Sequence, residues 1–296
     1  MTQILVGTAS WTDKSLVETG FFYPEDAKSP ADRLRFYASQ FPLVEVDSSY
    51  YALPTLRNTI LWAQRTPTQF VFDVKAFRLF TQHQTDLRVL PKDIRQSLGS
   101  SAKTTLFYRD VPTELREELW LRFVLAVTPL HQAGKLGVLL FQFPPWFFPS
   151  QASYQHILEC IERLPGFRLA VEFRNRAWFE GDHPERIWHF EREHNLAHVV
   201  VDEPQGFSSS IPALWEVTCA DVAVVRLHGR NCDTWEAKGL RSSAERFKYL
   251  YAAQELDGSA ANVRELSLHV KSVHVLFNNN FADYAQRNAA AFRQLI

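Results

Sequence analysis

The stretch Arg168-Leu-Ala-Val-Glu-Phe-Arg174, continued by Asn175-Arg-Ala-Trp178, decides the fold. Leu169, Ala170 and Val171 form a short apolar run of the kind that makes a parallel strand buried on both faces. Its end turns ionic, with Glu172 and Arg174 two residues apart and therefore on one face. A helical pattern resumes only after His183-Pro184. A buried strand that ends in a carboxylate and a guanidinium beside an aromatic loop suits the C-terminal rim of an α/β barrel.

Similar units lie on both sides of this stretch. Strands are expected at Gln3–Thr8, Leu43–Asp47, Phe70–Lys75, Gly137–Phe143, Ala197–Asp202, Asp221–His228 and Ser272–Phe277. Helices are expected between them. One runs from Ser29, as N-cap with Pro30 behind it, to about Phe41. Others run from about Thr55 to Arg65, from a Thr113 cap to a bend or end at Pro129, from Ser153 to Leu164, and over 184–194. Two more, 243–257 closed by Gly258 and 260–271, precede the last strand, and a final helix reaches Ile296. Eight strands alternating with helices predict parallel pairing through right-handed crossovers. The fold class is α/β, a single (β/α)8 TIM-type barrel over 1–296. Residues 76–112, polar and broken by Pro91 and Gly99, form a loop excursion or lid after the third strand. An open doubly wound sheet is the alternative, but no Gly-x-Gly-x-x-Gly follows any strand.

Bulk properties narrow the function classes. With 46% hydrophobic residues the chain can bury a large core, and 32 basic against 33 acidic residues leave no overall pull toward nucleic acid or membrane. Cys160, Cys219 and Cys232 have no paired spacing, which argues against a disulfide framework or zinc knuckle. Neither a signal peptide nor a membrane span is expected, and a reducing cytosol is the simplest location. Eight Trp and 23 Phe suggest an aromatic interior or cleft.

Polar residues gather at the strand C-termini, which a barrel brings onto one face. Lys75, Arg174 and Arg226 are expected to bind an anionic or polar small-molecule substrate, because guanidinium and ammonium groups suit phosphate and carboxylate. Glu172, Asp202 and His228 are the expected proton carriers. Trp11, Tyr50, Asn278 and Asn279 complete the expected binding set. A metal held by Glu45, Asp47, Glu172, Asp202 and His228 lacks ligand spacing and would compete with the nearby cations. No cofactor is required. Gly-x-Ser-x-Gly and Walker motifs are absent.

Taken together, Gly7-Thr-Ala-Ser-Trp11, Val44-Glu-Val-Asp-Ser-Ser-Tyr-Tyr51, Gln142-Phe-Pro-Pro145, Ala170-Val-Glu-Phe-Arg174 and Arg226-Leu-His-Gly-Arg230, with Phe277-Asn-Asn279, resemble the YecE-like family, domain of unknown function family 72. The resemblance implies a TIM-type barrel and no established activity. One departure is visible: the family's adjacent Thr-His after the third strand is here split by Gln82 into Thr81 and His83. Three functions follow as expectations. The first is an enzyme using acid/base chemistry on an anionic metabolite. The second is a metal-dependent phosphodiesterase or endonuclease-like barrel, and the third is a non-catalytic ligand- or partner-binding barrel.

Overall fold

A computed structural model describes residues 2–99, 104–240 and 242–296. The chain opens with β1 (Gln3–Ala9), α1 (Lys14–Thr19), α2 (Pro30–Gln40), β2 (Leu43–Val46), α3 (Ser48–Tyr51), α4 (Leu56–Gln64) and β3 (Val71–Lys75). The excursion follows, carrying β4 (Thr85–Asp86), α5 (Lys92–Ser97) and β5 (Thr105–Leu106). Next come α6 (Thr113–Gln132), β6 (Leu136–Gln142), α7 (Gln151–Glu162), β7 (Leu169–Glu172), α8 (His183–Glu193) and β8 (Ala197–Asp202). β9 (Val222–Leu227), α9 (Ala253–Ser267), β10 (Ser272–Phe277) and α10 (Tyr284–Phe292) complete it. Eight strands close into a barrel in the order β1-β2-β3-β6-β7-β8-β9-β10, and every pair is parallel. The (β/α)8 expectation is met. Within the excursion β4 and β5 pair antiparallel as a small ribbon; its residues 100–103 lie outside the described residues.

Side chains alternate across each strand, so the register fixes which residues enter the barrel. Leu43, Val138, Leu140, Ala170, Val199, Val201, Val224 and Leu276 pack together inside it. Their period carries Glu45, Glu172 and Arg226 to the same interior, one level nearer the C-terminal mouth. A larger apolar cluster lies between the strands and the helix ring.

Deeper in the barrel sits a polar pair. Asp73 accepts hydrogen bonds from Val138 N at 2.9 Å and from His274 Nδ1 at 2.9 Å and 3.0 Å. Residue 137 must be glycine beside it, because a Cβ there would stand 2.2 Å from Asp73 Oδ1.

Local chemistry explains most helix ends. Ser29 Oγ accepts from Asp32 N while the Asp32 carboxylate accepts from Ser29 N, a capping box with Pro30 at the first position. Thr55 caps α4 through Asn58 N. Three expectations need correction. Thr113 is the first helical residue of α6 after Pro112 and caps nothing. Pro129 does not stop α6, which runs on to Gln132; a proline this close to a helix end costs only one ladder bond. Gly258 closes no helix but lies within the continuous α9, and the segment before it is a 3-10 turn, Ser243–Phe247.

Candidate active site at the barrel mouth

Arg226, fully buried, anchors the floor of the mouth. Its Nε and Nη2 donate to the two oxygens of Glu45 at 2.9 Å and 2.7 Å, a bidentate fork. Nη1 donates to Glu172 Oε2 and, at 3.3 Å, to Gln142 Oε1. One guanidinium therefore ties β9 to β2, β6 and β7. Burial alone would push the Glu172 carboxyl up, but Arg174 and Arg226 outweigh it and hold the group well below the usual carboxylate range.

A second layer rises toward the cleft. Arg174 donates from Nε to Glu172 Oε1, from Nη1 to Glu203 Oε2 at 2.8 Å, and from Nη2 to His228 Nε2 at 2.9 Å. Burial first, and then Arg174, lowers the His228 pKa to about 3, so the ring is neutral. Arginine can only donate; Nε2 therefore accepts and Nδ1 carries the proton. The side-chain amide of Asn278 lies 2.7 Å from Nδ1, and its oxygen accepts from Asn280 Nδ2 at 3.0 Å.

Glu203 behaves differently. Its other oxygen accepts from Ile211 N at 2.8 Å. Burial, reinforced by the neighbouring Glu172 and Asp202, lifts its pKa to about 7 against the pull of Arg174 and the Ile211 N–H. A carboxyl poised near neutrality thus sits directly behind Arg174.

Above these layers opens a cleft of about 350 Å³, lined among others by Asp47, Tyr50, Lys75, Arg174, Trp235, Arg246 and Asn278. Lys75 Nζ pairs with Asp47 Oδ1 at 3.0 Å and lies 4.5 Å from the centre of the Tyr50 ring. Burial pushes the Tyr50 hydroxyl up to about 12. Arg174 faces the Trp235 ring at 5.9 Å. Among the described residues three of its five N–H groups are engaged, which leaves two for a ligand. Arg246 donates from Nη2 to Ala237 O at 3.3 Å, while its buried Nε has no partner among the described residues.

Of the residues expected from sequence, Lys75, Tyr50, Arg174 and Asn278 line the cleft. Glu172, Arg226 and His228 lie beneath it, each with no exposed surface. Three stand elsewhere. Asp202 alternates outward, where it accepts from Arg230 at 2.6 Å and 3.0 Å and from the Tyr251 hydroxyl at 2.7 Å. Trp11 packs in the core against Trp62 and Phe72, at 5.5 Å and 6.4 Å. Asn279, buried, donates to Tyr249 O and Asn288 Oδ1 and fixes a loop.

Glu203 and Arg246 had not been expected. Glu203 was within reach, since the inward phase Val199, Val201 continues to 203 and not 202. Arg246 rides on a 3-10 turn with no periodic signal. After β3, the inserted Gln82 takes a left-handed φ of 63°, and Thr81 Oγ1 still lies 2.9 Å from His83 Nδ1.

Among the described residues no three His, Cys, Asp or Glu side chains stand together as a metal-holding group. No helix among them is long and apolar enough to cross a membrane.

Comparisons with known proteins agree with this architecture. The family described as "Protein of unknown function DUF72" matches residues 5–296. The UPF0759 protein YunF of Bacillus subtilis (strain 168) is 32% identical over 295 residues, covering 99% of this chain and 94% of that one. The crystal structure of a DUF72 family protein from Enterococcus faecalis V583 aligns with a TM-score of 0.81 at 25% identity, covering 99% of this chain and 95% of that one. Another, from Thermotoga maritima MSB8, aligns at 0.76 and 29% identity over 99% of this chain and 98% of that one.

Proposed function

The chain belongs to the DUF72 family, and from that premise we propose that it binds a small anionic metabolite, phosphorylated or carboxylated, at the barrel mouth and acts on it by acid/base chemistry in a reducing cytosol. The observation that carries this reading is Arg174. It is clamped on three sides by Glu172, Glu203 and His228, lines the cleft, and has two further N–H groups without a partner among the described residues. Such a donor is already oriented before a ligand arrives, so little freedom is lost on binding. Lys75 and Arg246 border the same space and add positive charge.

The groups divide by reach. Lys75 and Asp47, an ion pair on the cleft wall, can touch a ligand and exchange protons with it. Glu172, held ionised between two arginines, is a poor proton acceptor and acts by fixing Arg174. Glu203 stands behind Arg174 and adjusts its charge balance, while the neutral His228 orients it by accepting from Nη2. A metal-dependent phosphodiesterase would need Glu45 and Glu172 as ligands, and both are committed to Arg226.

Sulfate, fully charged across neutral pH, is the simplest probe. Isothermal titration calorimetry with sulfate is expected to show saturable binding that Arg246→Ala weakens about tenfold, the loss of one charge-assisted contact. Absence of sulfate binding, or binding indifferent to Arg246→Ala, would overturn the anion assignment. A ligand that binds tightly with no turnover would move the protein to the non-catalytic class.

A further inference from the structure

Beside the mouth, a second pocket of about 550 Å³ opens between the excursion and the loop after β6. That volume lies within the range of small-molecule sites. Its walls include Trp146, Phe107, Gln82, Gln84 and Arg109, and none of the described residues lining it is acidic. Trp146 is 52% exposed, unusually open for its size. Its indole N–H donates to Gln82 O at 3.2 Å, so the ring is held in place although much of it faces solvent. The left-handed backbone at Gln82 presents that carbonyl; a non-glycine residue in this region marks a strained position.

The polar groups around the ring are short of partners. The Gln82 amide makes no side-chain hydrogen bond among the described residues, and Gln84 uses only its Nε2, donating to Thr105 Oγ1 at 2.8 Å. Among the described residues Arg109 makes only a ring contact, 5.7 Å from the centre of Phe107. An anchored indole offers a stacking surface to a flat ring. A glutamine amide can read the paired donor and acceptor on the edge of a purine. A guanidinium without an ionic partner among the described residues suits phosphate, and the lack of any carboxylate among the described lining residues fits an anionic ligand better than a neutral sugar.

We infer that this pocket is a binding site for a purine nucleotide, with the base on Trp146, its edge on Gln82 and Gln84, and the phosphate on Arg109. The site is separate from the mouth and does not rest on the function proposed there. A wall of rings divides the two, with Trp146 5.7 Å from His83 and His83 5.2 Å from Tyr50.

The test uses AMP, adenosine and ribose 5-phosphate in calorimetry and tryptophan fluorescence. AMP is expected to bind and quench. Trp146→Leu should remove the quench and weaken AMP at least about tenfold, the worth of one stacked base. Arg109→Ala should bring AMP down to the affinity of adenosine, and ribose 5-phosphate should bind there weakly or not at all. Both side chains are solvent-facing, so the variants should fold. The inference falls if AMP does not bind, if both variants bind it as the parent does, or if ribose 5-phosphate matches it. It also falls if Arg246→Ala, at the mouth, abolishes AMP binding while Arg109→Ala does not. Sulfate at the mouth reports the other proposal independently.

Discussion

Glu203 and Asp202 are neighbours in sequence and opposites in environment. Asp202 is outside the barrel with Arg230 and Tyr251, whereas Glu203 is inside with Arg174. The Glu203 pKa of about 7, raised from 4.5 by burial, makes stability depend on pH. Below pH 4.5 the carboxyl is protonated whether the chain is folded or not. Between 4.5 and 7 the unfolded chain releases a proton that the folded one keeps, so stability falls as pH rises through that window, by about 3 kcal/mol in total. Glu203→Gln is expected to flatten this part of the profile, read as urea midpoints at pH 5 and pH 8; an unchanged slope would refute the assignment. The sequence made the charge of both residues visible but left the strand's phase uncertain by one position, and one position decides which carboxyl meets the site. Trp11 was misplaced for a related reason. A loop after a strand can fold back over the helices as readily as across the mouth, and only contacts such as those with Trp62 and Phe72 tell the two apart.

At the scale of elements the strands were the most legible part, because short apolar runs recur eight times and seven of them end in charged or amide residues. Helix ends set by side-chain chemistry, such as Ser29-Pro30, were also readable, whereas those decided by tertiary packing were not. Gly258 shows the difference. It sits inside α9, and a Cβ there would meet nothing within 4 Å. Gly258→Ala is therefore expected to stabilise the protein by about 0.5–1 kcal/mol through helix propensity, seen as a higher urea midpoint. Gly137 gives the opposite result. Gly137→Ala would drive a methyl group against Asp73, costing about 1–3 kcal/mol and disturbing the hydrogen-bonded His274 Nδ1 proton in NMR spectra. A normal His274 resonance and an unchanged midpoint would contradict the packing described.

For the whole molecule, Arg226 is the residue that joins distant strands. Its bonds reach β2, β6 and β7 from β9, and no exposed surface softens their loss. Arg226→Ala would leave Glu45 and Glu172 buried without their shared cation. The expected cost is about 3–5 kcal/mol, observed as a large fall in melting temperature. Arg226→Met, which fills the volume but not the charge, should not restore it, because the two carboxylates remain.

The span of that cluster along the chain bears on how the protein is made. Glu45 leaves the ribosome early, and its counter-ion arrives 181 positions later. Until residue 226 has been synthesised, a half-built barrel would have to enclose a bare carboxylate, a step that burial opposes strongly. That cost disfavours closing the barrel around Glu45 before three-quarters of the chain exists. A product truncated before β9 is expected to leave the barrel unclosed and its apolar strands prone to aggregation.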